Sequence, residues 1–129
     1  MQKPVDKKTQ KQEFRKRIYK YILRLVRFLS KLPKAPVIRE IISQLMRSGT
    51  SIGANYFEAE AASSKKDYQK FFFYSLKSAN ETKFWLTILR DANLIPKTLI
   101  DECNWLLKET KELANIFASS ILTMKGRRN

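Results

Sequence analysis

The chain has 129 residues, 43% of them hydrophobic and 29% charged, with a formal net charge of +14. This length and balance describe one folded domain with a modest core and exclude a disordered chain. No histidine and a single cysteine exclude Ser-His or Cys-His nucleophilic catalysis, an intramolecular disulfide and a Cys/His zinc site within one chain.

The charge is uneven. Residues 1–34 hold 12 Lys/Arg and 2 Asp/Glu, residues 35–124 hold 11 and 10, and residues 125–129 add 3 Lys/Arg. A neutral body with basic ends points to a polyanionic partner, either nucleic acid or an anionic membrane surface. The total exceeds the roughly 2–8 charges that solubility alone requires of a small domain. No secretory signal is visible: Arg24 and Arg27 interrupt the apolar run Tyr21–Leu29, and no small-residue cleavage site follows. No stretch approaches the ~20 apolar residues of a spanning helix. The expected location is cytoplasmic.

Residues 1–12, MQKPVDKKTQKQ, read as a mobile basic N-terminal tail. The bundle is expected over residues 13–124 and a short basic end over 125–129. The first helix is expected from Glu13 to Leu32, with Phe14, Ile18, Ile22, Leu25, Leu29 and Leu32 as its core stripe. Lys16, Lys20, Arg24, Arg27 and Lys31 recur at helical steps on the opposite side, with Arg17 beside them. No carboxylate of this helix lies on that ridge, which is expected to be unneutralised. Pro33 and Pro36 end the helix.

The second helix is expected from about Val37 to Ala61 or Ala62, with Pro36 placed in its first turn. Gly49 and Gly53 share a face with Ile38, Ile41, Ile42, Leu45, Ile52 and Tyr56. A helical glycine costs about 1 kcal/mol relative to alanine. The expected compensation is a neighbouring backbone packed against the missing side chains. The other face carries a polar row that includes Arg47, Ser51, Asn55 and Glu58. That row either fixes register against a neighbouring helix or subunit, or forms a contact surface for RNA or protein.

Ser64 and Asp67 resemble a capping box with Asp in place of Glu. The third helix is expected from Lys65 to Asn93. One face is Tyr68, Phe71, Phe72, Ser75, Ala79, Thr82, Leu86 and Leu89. Left over are Phe73, Tyr74, Phe84, Trp85 and Ile88, more apolar surface than one burial consumes. A second copy of the chain is the expected cover. The fourth helix is expected from near Pro96 to Met124. Its seam is Leu99, Cys103, Leu106, Thr110, Leu113, Phe117, Ile121 and Met124. Cys103 on that seam reads as a buried small hydrophobe.

Four helices with short breaks make an all-α, antiparallel up-down-up-down four-helix bundle. Arg47-Ser48, Ser51-Ile52, Asn55, Glu58-Ala59 and Ser64-Lys65-Lys66-Asp67 resemble the signature of a bacterial four-helix-bundle family. Some members are encoded in intervening sequences of large-subunit ribosomal RNA genes. A related branch contains the accessory variability proteins of diversity-generating retroelements. The resemblance runs from about Tyr19 to Met124. It implies a ring-like homo-oligomer, a pentamer, and for the retroelement branch structured RNA and a reverse transcriptase as partners.

No catalytic residue, metal site or cofactor is assigned. Glu58 and Glu60 with Asp101 and Glu102 lack a motif that would arrange them around Mg²⁺. SGTSIG has no phosphate-loop lysine and sits within a helix. The expected function is therefore non-catalytic nucleic-acid binding through Lys16, Arg17, Lys20, Arg24, Arg27 and Lys31. The alternative is an interaction scaffold whose basic face meets an acidic protein or an anionic membrane. The aromatics are not interleaved with the ridge as base stacking requires, Tyr19 and Tyr21 being the nearby candidates, so backbone contact rather than base reading is expected.

Overall fold

A computed structural model describes residues 6–126. They form four helices: α1 (Lys7–Ser30), α2 (Pro36–Glu60), α3 (Lys65–Asp91) and α4 (Ile100–Met124), with a short 3₁₀ turn at Lys97–Leu99 before α4. Each long helix packs against its two sequence-ordered neighbours around the ring α1–α2–α3–α4–α1, so α1 lies diagonal to α3. This is the four-helix bundle that the short connections imply.

The helix ends follow local chemistry. α1 starts six residues earlier than expected, because Asp6 caps it: Asp6 Oδ1 accepts from the Thr9 backbone N–H at 2.8 Å. Residues 7–12 of the expected tail are therefore helical, and residues 1–5 and 127–129 lie outside the described residues. Lys34 Nζ lies 3.4 Å from the Leu29 and Ser30 carbonyl oxygens and serves the open end of α1. Pro36 opens α2, and Ser64 Oγ accepts from the Asp67 N–H at 3.1 Å to cap α3. α3 ends in a Schellman turn. Asn93 takes φ 59°, its N–H bonds the Arg90 carbonyl, and the Leu94 N–H bonds the Leu89 carbonyl.

The core contains the expected stripes. Ile18, Leu25 and Leu29 of α1, Ile41, Leu45 and Ile52 of α2, Phe72, Ala79 and Leu86 of α3, and Leu106, Leu113 and Phe117 of α4 are buried. Tyr21 and Phe28 are buried as well. Tyr21 is thus not an exposed aromatic beside the ridge; its hydroxyl lies 2.5 Å from Thr110 Oγ1, and Thr110 in turn donates to the Leu106 carbonyl. Cys103 is fully buried and burial pushes its thiol up to about 11.

α2 and α3 meet through small polar groups. Ser75 Oγ donates to the Ile52 carbonyl at 2.9 Å, and Thr82 Oγ1 donates to Ser48 Oγ at 2.9 Å, all buried. The glycines face α1, and what fills their space is side chain rather than backbone. A Cβ at Gly49 would stand 2.1 Å from Leu25 Cδ2, and one at Gly53 would stand 2.4 Å from Ile22 Cδ1. Branched side chains of α1 therefore seat in the holes that the two glycines leave.

Candidate nucleic-acid interface

The basic ridge of α1 divides into two sets. Arg17 and Arg24 turn toward α4. Arg17 Nε and Nη2 donate to the two carboxylate oxygens of Glu109, both at 2.8 Å, and Glu112 Oε1 lies 3.5 Å from the same guanidinium. Arg24 Nε and Nη2 donate to Glu102 at 2.9 and 2.5 Å. These are fork-to-fork pairs, the strong form of a charge-assisted hydrogen bond. Their register has a simple origin: 17 and 24 are seven residues apart, as are 102 and 109, and the two helices run antiparallel. The expectation of an unneutralised ridge is corrected here. Same-helix spacing could not show carboxylates arriving from α4. The signal was present in the matching seven-residue interval of Glu102 and Glu109.

Lys20, Arg27 and Lys31 form the second set. All three are exposed, and none makes an ion pair among the described residues. Lys16 lies 3.7 Å from Glu13 across one turn, both largely exposed, a contact of little energetic weight. Arg15, not singled out in the sequence, pairs bidentately with Glu60 of α2 at 3.0 Å, and Tyr56 Oη donates to the same carboxylate at 3.3 Å.

Arg24 also lies over an indole, its guanidinium carbon 3.3 Å from the Trp105 ring centroid. The hydrogen bonds from Arg24, and then its charge and that of Lys31, hold the Glu102 carboxyl below its ordinary 4.5. A carboxyl lowered by folding stabilises the native state above its unfolded value and loses that contribution as pH falls through the folded value. Glu102→Gln is therefore expected to be less stable than the parent at neutral pH. The gap should close as pH drops below about 4.5, as urea midpoints at a series of pH values would show. A gap independent of pH would refute the coupling.

The polar row of α2 is less uniform than its spacing. Arg47 donates to Gln44 at 2.9 Å and pairs with Glu81 of α3. Ser51 donates to the Arg47 carbonyl at 2.7 Å and Asn55 to the Ser51 carbonyl at 2.9 Å. Glu58 is exposed, and its side chain makes no hydrogen bond or ion pair among the described residues. Arg47 alone of the four ties α2 to another helix. On α3, Phe73, Tyr74, Phe84 and Ile88 are exposed, Phe84 at 54%. Trp85 is half-buried, and its Nε1 donates to Glu81 at 3.3 Å.

Among the described residues, no three His, Cys, Asp or Glu side chains gather as they would to hold a metal ion. Glu60 and Glu102 are engaged by Arg15 and Arg24. No described helix is long and apolar enough to cross a membrane.

Residues 10–118 match the family model of the 23S rRNA-intervening sequence protein. No curated protein matches the chain. Among solved structures, the chain is similar to a protein of unknown function of the S23 ribosomal protein family from Bacteroides thetaiotaomicron. The identity is 32%, the alignment covers 83% of this chain and 96% of that one, and the TM-score is 0.71. With the bundle, the helix register and a family match across most of its length, the chain belongs to the 23S rRNA-intervening sequence protein family.

Proposed function

We propose that the protein is a non-catalytic, cytoplasmic homo-oligomer that binds the backbone of nucleic acid through the outward cations of α1. The observation that carries this is the division of the ridge. Arg17 and Arg24 hold α1 to α4, while Lys20, Arg27 and Lys31 stay exposed with no carboxylate paired to them among the described residues. Lys16 adds a loosely held fourth cation. Lys16 to Lys31 spans about 22 Å of helix, enough to follow several phosphates. Copies joined through Phe73, Tyr74, Phe84, Trp85 and Ile88 would repeat the cations and raise the affinity by avidity. The family resemblance supports a pentamer, with structured RNA and, for a retroelement member, a reverse transcriptase as partners.

The test is binding to structured RNA and to duplex DNA over a salt series. The wild type is compared with a Lys20→Glu/Arg27→Glu/Lys31→Glu variant, and the mass in solution is checked for both. Arg24 is left intact because its reversal would break the α4 clasp. The wild type is expected to weaken steeply with salt, and loss of three cations to lower the slope by about three per chain. Equal binding by both proteins would remove this face from the interface. Absence of binding at physiological salt would turn the search to an acidic protein or a lipid surface.

A further inference from the structure

Trp105 sits on α4 between the two clasps, with Glu102 and Glu109 one turn to either side. One face of its indole carries the Arg24 guanidinium. On the Arg17 side a cleft of about 300 Å³ opens, lined by Glu13, Lys16, Arg17, Lys20, Trp105 and Glu109. Arg24 is not among the residues that line it, so Trp105 borders both the guanidinium and the cleft. Arg17 neutralises Glu109, and Lys16 faces Glu13. Lys20 is left as the uncompensated charge at the cleft.

A half-buried aromatic ring beside an unpaired lysine fits a flat ring that carries an anion. A single-stranded nucleic acid supplies that combination, an unstacked base on a phosphate backbone. A duplex does not, because its base faces are already stacked on one another. The size of the cleft suits one base and is too small for a folded partner. We infer that Trp105 is a stacking platform for one unpaired base of a single-stranded nucleic acid, with the adjoining phosphate held by Lys20 and Lys16. This rests on the nucleic-acid reading above and adds a strand preference to it. The Arg24 guanidinium over the indole fixes the ring, through its own hold on Glu102.

The chain has two tryptophans, so Trp85→Phe leaves Trp105 as the sole indole. That protein is titrated with a short single-stranded oligoadenylate and with duplex RNA, following indole emission and, separately, anisotropy of the labelled nucleic acid. Saturable quenching with oligoadenylate but not with duplex is expected. Trp105→Leu, folded by circular dichroism, is expected to bind oligoadenylate about ten-fold more weakly and duplex unchanged. If Trp105→Leu does not fold, the emission of Trp85→Phe decides by itself. Oligoadenylate binding with unchanged emission overturns the stacking site and leaves the backbone reading standing. Failure of the wild-type protein to bind either labelled nucleic acid removes both.

Discussion

Phe117→Ala is expected to lower the free energy of unfolding by about 3–5 kcal/mol, the range for truncating a fully buried phenylalanine. Phe117 is 0% exposed, and its ring centroid lies 5.8 Å from Phe14, 6.4 Å from Tyr56 and 5.4 Å from Phe72. Those rings come from α1, α2 and α3, so one side chain of α4 joins all four helices at this end of the bundle. The Phe14 and Phe72 rings meet it edge-on, an arrangement that adds about 0.5–1.5 kcal/mol per pair beyond area burial. Urea unfolding at one fixed protein concentration measures the cost, since self-association would shift the midpoint with concentration. Phe117→Leu keeps most of the volume and is expected to cost much less. A loss for Phe117→Ala no larger than that of an exposed substitution would show that the four rings do not form one packed unit.

The second large effect concerns Leu25. Leu25→Ala alone is expected to cost about 2–5 kcal/mol, because a fully buried side chain is removed and the hole over Gly49 is left open. Gly49→Ala alone sets opposing terms against each other. Helix propensity gains about 1 kcal/mol, while the new methyl collides with Leu25 Cδ2 inside a packed core, an overpacking of about 1–3 kcal/mol. In the double variant the methyl enters the space that Leu25 vacated. Leu25→Ala/Gly49→Ala is therefore expected to be more stable than the sum of the singles predicts, with a coupling of about 0.5–3 kcal/mol. A double-mutant cycle by urea unfolding measures it. Strict additivity would mean that Gly49 is not there to seat Leu25.

This pair also marks where the sequence stops being informative. Two glycines on an apolar helix face announce a close approach, and the periodicity of α1 to α4 placed most of the core. Neither property says whether backbone or side chain does the approaching, because that depends on which residue of another helix arrives at that height. The same limit applied at the ridge. Arg17, Arg24 and Lys20 share a charge sign and a helix, so spacing treats them alike. Antiparallel register against α4 then gives two of them carboxylates and leaves the third exposed. Trp105 was invisible as a neighbour of Lys20, being 85 positions away, although its side of α4 was readable as the flank of the Cys103–Leu106–Thr110 seam. The early start of α1 was legible in principle, since Asp6 is a preferred N-cap residue. The lysines that follow it have the composition of a solvated tail.

The burial of Cys103 has a practical consequence. Its thiol lies within 3.9 Å of the Leu86 carbonyl, between α3 and α4, and is held mostly protonated at neutral pH. A thiol reagent needs both access and thiolate. It gains both only when α3 and α4 part, and the chain offers it no second cysteine. The rate at which the native protein consumes such a reagent therefore counts separations of those two helices. It does so without any introduced probe, in the free protein and with a bound partner alike.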